Sequence, residues 1–218
     1  MKRLCLILCC ALLIQCEKAI NANYQNVFSD CMEKEDIVAI EEGVSVFNST
    51  LQDLYNLKKI DVDTYKRYLH ELRVMSLPRE FFTYQSTLNY LEELKKKSSF
   101  TNIYITLKEQ MKQLGMEKIE VPIAKNTDTI TINADDMPDF FYVMNAKGSF
   151  LKCMSEKSSS QDLKTLIEDI QTTVDIAPRN KIEALSKMID KVDSEIDQKI
   201  LIAMVVFDVY FGTVFSYN

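Results

Sequence analysis

Apolar residues recur at every third or fourth position along most of this chain, the spacing of one buried face on an α-helix. Only four glycines and four prolines occur among 218 residues, too few for the many tight turns of an all-β domain. The pattern therefore predicts a mainly α, multi-helix, bundle-like domain. Its first helix, over residues 33–54, places these apolar residues on one face: Ile37, Ile40, Val44, Phe47, Leu51 and Leu54.

One stretch in the middle of the chain, about residues 118–145, has a different pattern. Residues 119–121 and 129–132 alternate apolar and polar side chains, and residues 140–144 form a third β-like run. Alternation with a period of two is typical of short strands. We predict a small sheet or hairpin here, which leaves an α+β architecture open.

Further helices are predicted over residues 61–75, 79–97 and 100–114, and again after Ser158–Ser160. The last helix runs from about Ser194 to Phe215 and is apolar almost throughout. Asp208 interrupts it, and a carboxylate at the centre of a membrane span costs about 2.5–3.5 kcal/mol. We therefore predict a central core helix, in which Asp208 has a polar partner or lies at the helix edge.

The chain opens with the layout of a secretory signal peptide. Lys2 and Arg3 precede an uncharged apolar run, Leu4 to Ile14, and polar residues follow. A run of this length is too short to cross a bilayer, which takes about 20 residues. We predict a signal peptide over residues 1–15, a polar tether over residues 16–30, and a single domain over residues 31–218.

The apolar run ends at Leu13-Ile14-Gln15-Cys16, followed at once by Glu17-Lys18. This segment resembles the lipobox of bacterial lipoproteins, in the looser form of Bacteroidota-type lipoproteins of uncharacterised function. Gln15 departs from the pattern, which usually has Gly, Ala or Ser there. The resemblance implies that the Cys16 thiol carries the lipid and becomes the new N-terminus, so that the domain is held at a membrane in the cell envelope.

Ordinary signal-peptidase cleavage after Ala22 is the alternative, because Ile20-Asn21-Ala22 places a small residue at the cleavage position. The product would be a freely secreted, extracellular protein. Asn48-Ser49-Thr50 would then be a candidate N-glycosylation site. The tripeptide lies in a strongly helical pattern, which argues against that use.

The charge of the chain bears on its partners. Loss of Lys2 and Arg3 from the 26 basic residues leaves 24 against 32 acidic ones, a net charge of −8 for the processed chain. An acidic protein repels phosphate backbones, so we predict no nucleic-acid partner. Net charge also gives no attraction to an anionic bilayer. Membrane attachment is therefore expected through the N-terminal lipid.

Only two cysteines remain in the domain once the leader and Cys16 are set aside. Cys31 and Cys153 have no CxxC partner, which argues against a thioredoxin-like redox site. Two thiols in an oxidising compartment favour one disulfide, with two separate buried thiols as the alternative.

Candidates for chemistry are few in this sequence. His70 is its only histidine, and we predict a solvated helix position for it. The densest acidic cluster is Asp135, Asp136 and Asp139, a weak candidate for a calcium-like cation or for carboxylate hydrolysis of a glycoside. Its spacing matches no EF-hand, and no GxGxxG or Walker A loop occurs, so we predict no catalytic residue, metal or cofactor.

These observations favour a non-enzymatic, exported helical protein that binds an unidentified protein or an apolar or polymeric ligand. An envelope hydrolase that uses carboxylates is the alternative. It would depend on the acidic cluster or on His70.

Overall fold

The computed structural model describes residues 23–122, 129–174 and 178–217. The predicted signal peptide, Cys16 and most of the predicted tether lie outside these ranges. Within them the protein is mainly α with a small β element, as the sequence predicts. The helices are α1 (Gln25–Phe28), α2 (Lys34–Tyr55), α3 (Val62–Arg73), α4 (Gln85–Lys95), α5 (Ser99–Ile103), α6 (Leu107–Gln113), α7 (Ser149–Lys157), α8 (Gln161–Thr172), α9 (Pro178–Met188) and α10 (Glu195–Tyr217), with 3₁₀ turns at Arg79–Thr83 and Ala134–Asp136.

The β element consists of two antiparallel pairs. Strand β2 (Lys118–Pro122) pairs with β3 (Thr129–Asn133), with Ile119 opposite Ile132. Strand β1 (Tyr104–Thr106) pairs with β4 (Tyr142–Met144). The three predicted β-like runs are confirmed, whereas β1 was not predicted as a strand.

The predicted helix over residues 100–114 is wrong in its middle, where β1 separates α5 from α6. Strand β1 forms because its backbone bonds to β4, a contact between distant parts of the chain that local periodicity does not encode. A capping box then starts α6: Thr106 Oγ1 accepts the Glu109 N–H at 3.2 Å, and Glu109 Oε2 accepts the Thr106 N–H at 3.0 Å.

The core is built around α10, which α2, α7 and α9 contact. It is α-helical at both ends and π-helical over Val205–Phe211. By length and composition it is the one helix of the described ranges that could cross a membrane, but 72% of its most apolar window is buried inside the domain. That burial is the property of a central core helix. A smaller apolar cluster lies under the β element, made of Leu107, Met111, Ile119, Ala134 and Met137.

The domain begins earlier than the predicted boundary at residue 31. Tyr24, Val27 and Phe28 are buried in the main core, at the i, i+3, i+4 spacing of one helical face. The predicted tether over residues 16–30 is therefore wrong from Tyr24 onward. Burial of these three side chains gives the segment a packed position that a solvated tether lacks.

Helix α2 packs closely against α10 at Gly43. A Cβ atom there would lie 2.6 Å from Phe207 Cζ and 2.7 Å from Tyr90 Oη. We expect Gly43→Ala to lower the free energy of unfolding by about 1–3 kcal/mol, because the fully buried Phe207 ring has no room to move aside. Urea unfolding measures the change.

Gly212→Ala is the matched control for that substitution. Gly212 is also helical, and a Cβ there meets nothing within 4 Å. Alanine should leave stability unchanged or raise it by up to about 1 kcal/mol. Equal losses for the two variants would contradict the close approach of α2 to α10.

Candidate functional site: the N-terminal attachment region

Residues 23–31, called here the N-terminal attachment region, are the first residues that the structure describes. The Tyr24 ring stacks on Phe28 at a centroid distance of 5.7 Å, and both side chains are almost fully buried. The helix turn α1 places them on the same face, because residues four apart are neighbours on a helix. The region is therefore part of the folded core.

Glu41 of α2 binds the first backbone N–H groups of this region. Its Oε1 accepts the backbone N–H of Tyr24 at 2.6 Å and that of Gln25 at 3.3 Å. A carboxylate at the first turn of a helix satisfies otherwise unpaired N–H groups. Burial, and to a lesser extent the Glu41 charge, holds the pKa of Tyr24 well above its ordinary value.

Lys199 of α10 holds the region from the other side. Its ammonium donates to the Asn23 carbonyl oxygen at 2.8 Å and pairs with Glu195 at 3.1 Å. The Tyr24 hydroxyl donates to the Lys199 carbonyl oxygen at 3.2 Å. Lysine is rarely this buried without partners, and Lys199 is only 8% exposed. These contacts fix Asn23 and Tyr24 to the central helix.

The predicted disulfide joins Cys31 to Cys153 and ties the end of the region to α7, with the two Cα atoms 5.5 Å apart. Beside it, the Asp30 carboxylate accepts a hydrogen bond from Lys157, which lowers the pKa of Asp30. The alternative of two separate buried thiols is wrong. A covalent bond and several polar contacts thus fix residues 23–31 to three helices.

The predicted lipid site, Cys16, is close to this region in the sequence. Asn23 is seven residues beyond Cys16, and an extended chain of that length reaches about 25 Å at most. A lipid on Cys16 would therefore keep this face of the domain close to a bilayer. Sequence reasoning missed Glu41 and Lys199, because their contacts join residues far apart in the chain.

Asp135 and Asp136 lie in the 3₁₀ turn after β3 and Asp139 lies in the turn that follows, and all three residues are exposed. Asp135 pairs with Lys112 at 3.1 Å, and Asp136 accepts a hydrogen bond from the Asn133 amide at 2.7 Å. In the parts of the chain that the structure describes, no three His, Cys, Asp or Glu side chains form a group suited to a metal ion. The carboxylates of Asp135, Asp136 and Asp139 are therefore not placed to bind one metal ion together.

The other two sequence candidates lie on helices. His70 is exposed on α3, as predicted. Asn48 lies in the middle of α2, and its side-chain oxygen accepts a hydrogen bond from the Tyr65 hydroxyl at 2.7 Å. A partly buried, hydrogen-bonded amide inside a helix is a poor glycan acceptor.

A buried carboxylate links α10 to the segment between α7 and α8. Asp197 accepts hydrogen bonds from the Ser158 hydroxyl at 2.7 Å and the Ser159 backbone N–H at 2.9 Å. Burial raises the pKa of Asp197, but hydrogen bonds from Ser159 and Ser158 outweigh it, so the pKa is lower than usual. Asp197 therefore stays ionised at neutral pH and serves as a structural acceptor. The sequence showed these serines only as helix-capping residues.

A second buried carboxylate, Asp208, lies in the π-helical part of α10. Lys181 of α9 pairs with its Oδ1 at 3.2 Å, and the two side chains are 16% and 8% exposed. The prediction that Asp208 has a polar partner is confirmed. Its Oδ2 is buried and has no hydrogen-bond partner among the residues that the structure describes. The sequence alone gave no indication that Lys181 is the partner.

An open groove of about 430 Å³ lies between α8 and α9 and is lined by Asp162, Glu183, Lys187 and Met188 among others. Its two carboxylates are exposed, and Glu183 pairs with Lys187 at 2.7 Å. A carboxyl group that acts as a general acid lies in a buried, apolar environment, which this open groove does not provide.

Comparison of the chain with models of protein families, with curated proteins and with solved structures gave no match.

Proposed function

We propose that this chain is an exported protein, anchored in the cell envelope by a lipid on Cys16, whose helical domain acts as a non-enzymatic binding or interaction module. The leader supports export, because Lys2 and Arg3 precede an apolar run too short to span a bilayer. The Leu13–Cys16 segment supports lipidation through its resemblance to a lipobox.

The observation that carries export is the Cys31–Cys153 disulfide. Disulfides persist in oxidising compartments and are rare in the cytosol. The bridge also fixes the last residue of the N-terminal attachment region, and a membrane tether would pull on that region. A structural bond at that point suits a domain held through its N-terminus.

A binding role is favoured over a carboxylate hydrolase by the surroundings of the acidic side chains. A hydrolase needs one carboxyl group with a raised pKa, which burial among apolar groups supplies. Asp135, Asp136 and Asp139 are exposed instead. The buried Asp197 is a poor acid because its pKa is lowered.

Metabolic labelling with a radioactive fatty acid tests the anchor. The wild-type protein should incorporate the label, and Cys16→Ser should lose it completely, because the Cys16 sulfur is the atom that carries the diacylglyceryl group and its fatty acids. Cys10→Ser, inside the apolar run, is the matched control and should keep the label. Equal labelling of Cys16→Ser and wild type, or no labelling of either, would reject the lipid anchor.

A further inference from the structure

The loop between α3 and the 3₁₀ turn at Arg79–Thr83 presents apolar side chains to solvent. Residues 73–79, called here the basic tip, contain Val74, which is 52% exposed, and Met75, which is 90% exposed. Single exposed apolar residues are ordinary, but two adjacent ones of this size form a projecting apolar point. An exposed pair of this kind is suited to contact with an apolar medium.

The backbone holds Met75 in a conformation that favours glycine. Its φ is 55°, in the left-handed region, where the Ser76 N–H bonds to the Glu71 carbonyl oxygen at 2.9 Å and ends α3. Glycine is the usual residue at such a helix end because a Cβ atom is strained there. The backbone conformation at this position favours glycine, which has no side chain, yet the residue is a methionine with a long apolar side chain.

Arginine residues lie on both sides of this exposed apolar pair, although the chain as a whole is acidic. Three of the five arginines, Arg67, Arg73 and Arg79, lie within 13 consecutive residues. Arg73 and Arg79 flank the exposed pair, are themselves exposed, and make no ion pair with any residue that the structure describes. The basic tip thus offers two guanidinium groups, one on either side of two apolar side chains.

The nearby acidic side chains only partly offset this charge. Both carboxylate oxygens of Glu71 are engaged, one by Arg67 at 2.8 Å and the other by the Tyr55 hydroxyl at 2.9 Å. Glu80 follows Arg79 and is exposed. Residues 66–80 carry four basic and two acidic side chains, against a net charge of −6 for the chain.

We propose that the basic tip binds an anionic lipid bilayer, with Val74 and Met75 inserted at the headgroup–acyl boundary and Arg73 and Arg79 bound to lipid phosphates. Apolar side chains enter that boundary to a depth of about 5–10 Å, while cations stay at the headgroups. Guanidinium groups bind phosphate oxygens in a bidentate manner. The inference rests on the proposed function, since the anchor brings the domain to the membrane.

The geometry places the tip within reach of the same bilayer. Tyr65 of α3 and Gln198 of α10 line one small cavity, and the next residue, Lys199, binds the Asn23 carbonyl oxygen. Arg73 lies about 12 Å further along α3, less than the roughly 25 Å that the segment from Cys16 to Asn23 allows. Salt screens charges beyond about 8 Å, so the local charge of the tip outweighs the net charge of the protein.

The chain contains no tryptophan, so a single introduced indole gives a clean fluorescence probe. Purified mature Met75→Trp is mixed with vesicles of phosphatidylglycerol and phosphatidylcholine, or of phosphatidylcholine alone. We expect blue-shifted emission and quenching by brominated lipid with the anionic vesicles only. Arg73→Gln with Arg79→Gln should weaken this insertion about twenty-five-fold at low salt, because each arginine beside an anionic surface contributes a factor of about five.

Phe140→Trp is the matched control, because Phe140 is 63% exposed on the β element, outside the basic tip. Its emission should not change with either vesicle. If the indole of Met75→Trp stays open to aqueous quencher while the protein remains vesicle-bound, the tip proposal fails and the anchor stands. If that indole responds to polyglutamate and to neither vesicle, the tip binds an acidic protein surface instead, which also overturns the proposal.

Discussion

Removal of the Cys31–Cys153 disulfide should lower the free energy of unfolding by about 2–5 kcal/mol. The bridge joins residues 122 positions apart, and closing a loop of that length restricts the unfolded chain strongly. The chain-entropy model puts the effect at about 4–5 kcal/mol. For a domain of this size the melting temperature should fall by roughly 5–15 °C.

Calorimetry of a Cys31→Ala, Cys153→Ala double variant measures this loss. Wild-type protein in reductant is the matched control, because it lacks the bridge but keeps both sulfur atoms. The two samples should melt at similar temperatures, both below the oxidised protein. A melting temperature that reductant leaves unchanged, in a protein whose thiols react after treatment, would contradict a stabilising disulfide.

Lys181→Met should destabilise the domain by about 3–5 kcal/mol, although it replaces one long side chain by another. The substitution leaves the Asp208 carboxylate buried in the π-helical segment without the ammonium that pairs with it. An uncompensated buried charge is the costly outcome of breaking an internal ion pair. Urea unfolding of the variant measures the loss.

Two further variants separate this effect from ordinary surface change. Lys187→Met lies on the same helix, where Lys187 is 67% exposed and pairs with an exposed glutamate, so it should cost no more than about 0.5 kcal/mol. Adding Asp208→Leu to Lys181→Met should recover most of the stability, because the buried charge is then gone. Equal losses for Lys181→Met and Lys187→Met would show that the pair is not buried in solution.

Local pattern predicted the long elements of this fold well. The first predicted helix, residues 33–54, lies within one residue of α2 at each end, and the three β-like runs are strands. Local pattern did not predict the strand at Tyr104–Thr106, whose partners lie 36 to 40 positions later in the chain. The capping box at Thr106 and Glu109 was a local indication of that break. The spacing of Tyr24, Val27 and Phe28 likewise indicated α1, but its single turn is too short for periodicity to stand out.

Of the candidate site, only the disulfide could be predicted from the sequence. Counting cysteines led to the Cys31–Cys153 pair, because the leader and Cys16 accounted for the others. Glu41 and Lys199 are ordinary charged residues in helical patterns, and only the tertiary fold brings them to the N-terminal attachment region. The partner of Asp208 was expected on energetic grounds, since a buried carboxylate needs one. Its identity depends on how α9 packs against α10.

The mass of the mature N-terminus tests the central claim most directly. Protein purified from the organism's own cells and growth medium, and digested with protease, gives an N-terminal peptide for mass spectrometry. A lipid-anchored protein predicts a peptide that begins at Cys16 and carries a thioether-linked diacylglycerol. A peptide that begins at Asn23 with an unmodified α-amino group would contradict the anchor and identify a freely secreted protein.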